Sequence, residues 1–300
     1  MQFDCVGFGL CASDYLCLLP EYPALDQKTE LIAFAKNGGG PVPTAMVTLA
    51  RLGARSAFIG KVGDDAEGRY IIDELQKEGV DTGGVRIDPE SATPQAFIWI
   101  DNPSGKKTIA LNRTGISAFK ATELNERLIC SGRILHLDGR EVEPSLLAAE
   151  CARKAGRTVV MDVGSLRPRI ESLLSMVDYP VVSENFVLQY FGRIDHAQAA
   201  EKLLQFGCSA AVVTCGNRGC FGATKSGIIF QPAFDVNVVD TTGAGDVFHG
   251  AFIYGLLQKW ELASTLRFAS AVAALKCTQL GGRTGIPNLE GVESFLNTHN

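Results

Sequence analysis

Short apolar runs rich in β-branched residues recur along the chain, and longer stretches with apolar residues three and four apart separate them. The runs at 5–10 (CVGFGL), 56–63 (SAFIGKVG), 134–139 (ILHLDG), 158–164 (TVVMDVG), 179–185 (YPVVSEN) and 210–216 (AAVVTCG) predict strands, several of them apolar on both faces. Residues 43–52, 66–78, 145–155, 197–206, 244–259 and 262–277 carry the helical period. Alternation of this kind predicts an α/β fold of three layers, a mostly parallel central sheet flanked by helices. Two regions break the rhythm: 11–36, and 95–112 with its turn at NPSG, alternate as paired antiparallel strands. Such strands cannot join a parallel core, so the expected organisation is a core of 1–10, 37–94 and 113–300 with a small β lid of 11–36 and 95–112.

Composition narrows the partners. The 300 residues are 46% hydrophobic and 20% charged, an ordinary globular balance, and the formal net charge of -5 gives no overall pull toward nucleic acid. No apolar run approaches the length of a membrane span, and an acid stands where a secretion signal would be basic, so a soluble, cytoplasmic protein is expected. The nine cysteines form no metal-spaced pair and are read as reduced core residues.

Candidate chemistry lies in the glycine-rich turns. GFGLCA at 7–12 fits a dinucleotide fingerprint, but Pro20 and Pro23 soon follow and leave no room for the helix that must hold the pyrophosphate. GCFGATKS at 219–226 lacks the glycine before its lysine and fails the P-loop pattern. NGGGPVPTAMVTLARLG at 37–53 is a turn feeding a helix, and the bare backbone at Gly39 and Gly40 lets a ligand approach. DTTGAGDVFHGAF at 240–252 says most. The N–H groups of Gly243, Ala244 and Gly245 can converge with a helix N-terminus on one anion, and Asp246 follows in the first turn. An acid beside an anion hole suits a proton acceptor for a hydroxyl attacking phosphorus.

These segments resemble the two signatures of the ribokinase (PfkB) family of carbohydrate kinases: DTTGAGDVFHGAF the C-terminal one, and GGGPVPTAMVTLARLG with IGKVGDDAEGRYI at 59–71 the N-terminal one. The resemblance covers nearly the whole chain. It implies an ATP- and Mg2+-dependent kinase for a sugar hydroxyl, a ribokinase-like fold and a lid that closes over the substrate. It makes Asp246 the general base and Gly243, Ala244 and Gly245 the anion hole. Asp14, at the lid end of the first strand, is implied to hold sugar hydroxyls with Gly39, Gly40 and Thr44, where many members carry asparagine in place of the threonine. TCGNRG at 214–219 resembles the turn along the nucleotide, giving Thr214, Gly216 and Gly219. The usual N-x-x-E stretch reads SENF at 183–186, leaving Glu184 as the candidate linked to magnesium. QLGGRTGIP at 279–287 resembles a loop that, with the Asp240 segment, holds a monovalent cation such as K+ in some members.

Specificity is expected from Lys28, Phe97, Trp99, Asn112, Arg113 and Arg140; Lys28, Asn112 and Arg140 together suit an anionic tail. The GGGPxxTA variant resembles a subgroup that includes ketose and sulfofructose kinases. A neutral sugar, an anionic ketose, a nucleoside and a sugar sensed without catalysis all stay open. An exposed lid strand suggests a homodimer formed through the lid.

Overall fold

Cys5 and Val6 are neighbours in the first strand, yet each joins a different hydrophobic cluster, because successive side chains of a strand leave opposite faces. The computed structural model, which describes residues 2–299, sets this strand inside a nine-stranded sheet with helices on both faces. Residues 1 and 300 of the expected core lie outside the described residues. In chain order the strands are β1 (Phe3–Phe8), β2 (Ala12–Leu19), β3 (Ala33–Gly39), β4 (Ser56–Gly63), β5 (Asp81–Asp88), β6 (Gln95–Asp101), β7 (Lys107–Asn112), β8 (Gly132–Leu137), β9 (Thr158–Val163), β10 (Tyr179–Ser183), β11 (Ala211–Thr214), β12 (Cys220–Thr224) and β13 (Gly227–Gln231). The large sheet runs β13-β12-β11-β10-β9-β8-β1-β4-β5. It is parallel from β11 to β5, and β12 and β13 close one edge as an antiparallel hairpin.

The helices are α1 (Pro41–Arg51), α2 (Ala66–Lys77), α3 (Glu126–Ser131), α4 (Val142–Lys154), α5 (Ile170–Leu174), α6 (Glu184–Phe191), α7 (His196–Leu203), α8 (Ala244–Leu257), α9 (Leu262–Lys276) and α10 (Leu289–Thr298). Helices α1, α2, α8, α9 and α10 bury apolar residues with Cys5, Phe58 and Val160 on one face; α3 to α7 do so with Val6, Leu135 and Met161 on the other. No helix among the described residues is long and apolar enough to cross a membrane.

The chain leaves β1 without a helix, as Pro20 and Pro23 foretell, and forms β2 of a second sheet ordered β3-β2-β6-β7. Strand β3 extends three residues beyond the expected limit of 36, because Asn37, Gly38 and Gly39 pair with Asp14, Ser13 and Ala12. Leu16, Leu18, Ala96, Ile98 and Ile100 form the small sheet's own apolar cluster, with Leu280 of the large domain packed against it. Phe34, Phe97 and Trp99 are exposed.

The connections turn to opposite sides of β1, with β4 on one flank and β8 on the other, so the carboxyl end of β1 is a topological switch point. Leu10, just beyond it, donates its amide to Asp138 Oδ2 at 2.8 Å across that gap.

Candidate active site

Asp14 is the fixed point of the site. It lies in β2, the second strand, and not on the first as expected, since the first strand ends at Phe8 and the chain crosses to the small sheet before reaching it. There it shares the inward face with Leu16 and Leu18 and is 8% exposed. Burial pushes its carboxyl up to about 7; Arg283 opposes the shift, and the charges of Asp246, Glu74 and Asp240 add to it.

The glycines around it are dictated by contact. Gly40 caps α1 at φ 104°, and a Cβ there would stand 2.2 Å from the Leu10 carbonyl oxygen. At Gly38 a Cβ would meet the guanidinium of Arg283 at 2.5 Å. Arg283 itself is 2% exposed and reaches Glu74 at 3.2 Å and the hydroxyl of Thr44 at 3.3 Å. Glu74 in turn accepts the Gly38 amide. Thr44 thus faces the cradle with its oxygen already taken as an acceptor.

The second half of the site is the segment 240–246. Gly243 is left-handed at φ 75°, and a Cβ on it would come within 2.7 Å of the Gly282 carbonyl oxygen. A Cβ on Gly282 would lie 4.0 Å from Asp14 Oδ2, so the bare Gly282 stands between Asp14 and Gly243. The Ala244 amide donates to the Thr241 carbonyl at 3.2 Å, whereas the amides of Gly243 and Gly245 take no partner among the described residues. Of the three amides expected there, those of Gly243 and Gly245 are thus free, and the Asp246 amide, also without a partner among the described residues, joins them at the N-terminus of α8. A Cβ on Gly245 would point into open space.

Asp246 follows, and burial pushes its carboxyl up to about 6, with Asp162 adding and His249, Lys107 and Arg140 opposing. Beneath it is a buried polar group that the sequence did not suggest. His249 Nε2 stands 3.4 Å from Asp162 Oδ1, and the His249 ring lies 5.5 Å from that of His136. Burial brings His136 down to about 3, so its ring is neutral. Burial works to raise the Asp162 carboxyl too, but the histidines and Arg140 outweigh it and leave it below its ordinary value. Burial, with the charge of Asp162 adding to it, thus raises the Asp246 carboxyl toward the range where a proton acceptor works best.

Arg140 and Arg167 follow β8 and β9 at the carboxyl edge of the sheet, and the Nε of each is buried without a partner. Burial and the nearby Arg140 lower the Arg167 pKa, with exposed Arg113 adding to the effect. Arg167 was not foreseen; its place just past MDVG, a strand end on the ligand side, was the available signal. Of the other residues expected to set specificity, Lys28 is exposed in the loop between β2 and β3, and Asn112 is exposed with its Oδ1 taken by Thr114. Neither meets Arg140 in this structure.

Thr214 ends β11 and donates its hydroxyl to the Val182 carbonyl at 3.3 Å. The turn after it holds Gly216 at φ 58° and Gly219 at φ 96°, where a Cβ would stand 2.1 Å from the Gln231 carbonyl oxygen. Glu184 opens α6 beside this turn and forms an ion pair with Arg218. No group of three or more histidine, cysteine, aspartate or glutamate side chains that could hold a metal occurs among the described residues.

The chain is similar to known proteins over most of its length. The model of the pfkB family carbohydrate kinases matches residues 4–289. The 5-dehydro-2-deoxygluconokinase of Geobacillus kaustophilus is 28% identical over 90% of this chain and 88% of its own. Fructokinase-1 of Oryza sativa subsp. japonica is 30% identical over 86% of this chain and 88% of its own. The structure of Arabidopsis thaliana ribokinase, solved with ribose and ATP, superposes with a TM-score of 0.84 at 24% identity, covering 99% of both chains.

Proposed function

Since the chain belongs to the pfkB family of carbohydrate kinases, we propose that it transfers the γ-phosphoryl group of MgATP to a hydroxyl of a sugar lodged between Asp14 and Asp246. Carbohydrate kinase activity follows from the family; the roles of individual residues are our reading. Asp14, with the bare backbone of Gly39 and Gly40, accepts and orients the sugar hydroxyls. Asp246 takes the proton from the attacking hydroxyl as the O–P bond forms and the bond to the leaving ADP breaks. The free amides of Gly243 and Gly245, with the positive end of α8, face the charge on the group in transfer. Thr214, Gly216 and Gly219 form a turn at the carboxyl edge that suits the nucleotide, and Mg2+ arrives with its phosphates. The small sheet serves as the lid. Its exposed Phe34, Phe97 and Trp99 favour pairing with a second copy, and an ATP-consuming enzyme fits the cytoplasm.

The observation that supports this reading best is the bare Gly282 between Asp14 and Gly243, with a hydroxyl acceptor on one side and, on the other, unpartnered amides and an Asp246 carboxyl raised by burial. ADP release, followed across hexoses, pentoses, ketoses, acidic sugars and adenosine, tests it. At least one sugar should be turned over. Asp246→Asn should keep its fold and ATP binding while kcat falls by ~10²–10⁴, the range of a general base. A variant that keeps more than about a tenth of the rate would remove Asp246 from that role.

A second reading, an anionic ketose as substrate, is favoured by Arg140 and Arg167. Two half-buried arginines whose Nε atoms are buried without a partner suit a carboxylate or sulfonate, and two relatives carry the name of a gluconate-type acid.

A further inference from the structure

Lys276 ends α9 with no exposed surface, in the apolar run AVAALKC. Its Nζ lies 2.8 Å from the main-chain oxygen of Asp240 and 3.9 Å from Oδ2 of the same residue. Asp240 is fully buried too, and both its carboxylate oxygens are engaged: Oδ1 accepts the Thr242 amide at 2.7 Å and Oδ2 the Gly281 amide at 2.9 Å. The amides of Val239 and Asp240 are tied to the Cys277 carbonyl at 2.9 and 3.2 Å. The Asp240 carbonyl therefore meets the ammonium of Lys276, which also faces the residue's buried carboxylate, while Lys107 Nζ holds the next carbonyl, that of Thr241, at 3.0 Å.

Burying an ammonium is costly unless its charge is matched, so the position asks for a reason beyond packing. Asp240 opens the segment that turns at Gly243 and presents the free amides to the cleft. A positive charge fixed under its first carbonyl sets the direction of the peptide groups that follow and cancels the carboxylate beside a site meant for an anion. The resemblance to K+-binding members leads one to expect a free monovalent ion between this segment and the 279–287 loop. The residues do not fit one: the Lys276 ammonium already stands on the Asp240 carbonyl and faces its carboxylate, and a second cation there would meet that charge.

We propose that Lys276 is a tethered monovalent cation, its ammonium standing in for a free K+ ion between Asp240 and the 279–287 loop, so that the anion-binding turn is organised without an added ion. Lys276 is thus a positioning residue. The catalytic part of this inference rests on the kinase reading above, but its thermal readout does not.

The test is a titration of K+, with NH4+ and tetramethylammonium as the compact and the bulky comparison ions, on the wild type and on Lys276→Ala. The wild-type rate and Tm should be flat to within about twofold and about 1 °C. Without a compact ion, Lys276→Ala should lose ~10²-fold in kcat/KM, the scale of an oxyanion donor lost. K+ or NH4+ should restore at least about tenfold of that and raise the variant's Tm, while tetramethylammonium should do neither. Should the variant not fold alone, K+ or NH4+ in the refolding buffer should recover it. A wild type activated by K+, a folded Lys276→Ala whose Tm ignores compact ions, or an unfolded one that they do not rescue each overturns the proposal. A chain with no activity on any sugar would sink the kinase reading and leave the Tm comparison standing.

Discussion

A Cβ placed on Gly39 would lie 2.1 Å from both carboxylate oxygens of Asp14. The two residues belong to paired strands, and the carboxylate lies over the bare Cα of the glycine. Absence of a side chain is therefore what lets Asp14 keep its inward rotamer. Gly39→Ala should displace the carboxylate before it disturbs the fold, since β3 can carry alanine in its extended backbone. Overpacking of this sort costs about 1–3 kcal/mol at most sites. Steady-state kinetics should show the sugar KM raised by about tenfold or more, one or two hydrogen bonds' worth, with the ATP KM unmoved. If both KM values rise together, or neither does, Gly39 shapes something other than the sugar cradle.

How much of this site the sequence disclosed depends on how local each signal was. The parallel core, the small sheet and the 240–246 turn are written in runs of a few residues, where a period of two or 3.6 and a glycine before an acid are visible at once. The hairpin β12–β13 escaped because CFGATKSGIIFQ mixes glycine with apolar residues and does not alternate cleanly. The buried charges escaped for another reason. Arg283 touches Glu74, 209 positions away in the chain, and His249 touches Asp162; no spacing rule links such partners. Lys276 escaped as well, although a charge within the apolar run AVAALKC was a signal to follow. Lys28 and Arg140 show the converse, two basic residues grouped by charge alone that do not meet in this structure.

Burial gives Asp14 and Asp246 a pH dependence of definite sign. Their carboxyls are pushed up to about 7 and about 6 from an ordinary value of 3.8, so the folded protein holds these protons more tightly than the unfolded chain does. Stability from this source is present while both stay protonated and is lost as pH rises from about 4 through 7. Activity runs the opposite way, because the proton acceptor and the hydroxyl holder both work as anions. The value of kcat/KM should climb through pH 6–7 and level off above it. Asp14→Asn should then be inactive yet melt higher than the wild type at pH 8, by a few degrees at about 2–4 °C per kcal/mol for a chain near this size, with the gap closing at pH 4. A variant that melts lower than the wild type at pH 8 would show that the ionised carboxylate is stabilising where it stands, contrary to the burial argument.

Arg140 and Arg167 decide between a neutral and an anionic sugar. Each has a buried Nε without a partner, and both lie where the loops after β8 and β9 meet the cleft. Clustering like charges is unfavourable, as the lowered pKa of Arg167 reflects through its burial and its nearness to Arg140. Asp138 and Asp162 offset part of that, and an incoming anion would offset the rest. A charge-assisted hydrogen bond contributes about 1.5–3 kcal/mol, which corresponds to about 10- to 150-fold in affinity. Arg140→Met and Arg167→Met should accordingly raise KM for a gluconate-type or sulfonated ketose by about tenfold or more while moving KM for fructose less than about threefold. The comparison must be made on one preparation with both sugars, so that any loss of folded protein cancels. Should the variants instead lower kcat equally for the two sugars and leave both KM values alone, the arginines act on the phosphoryl group in transfer and the substrate carries no charge for them to read.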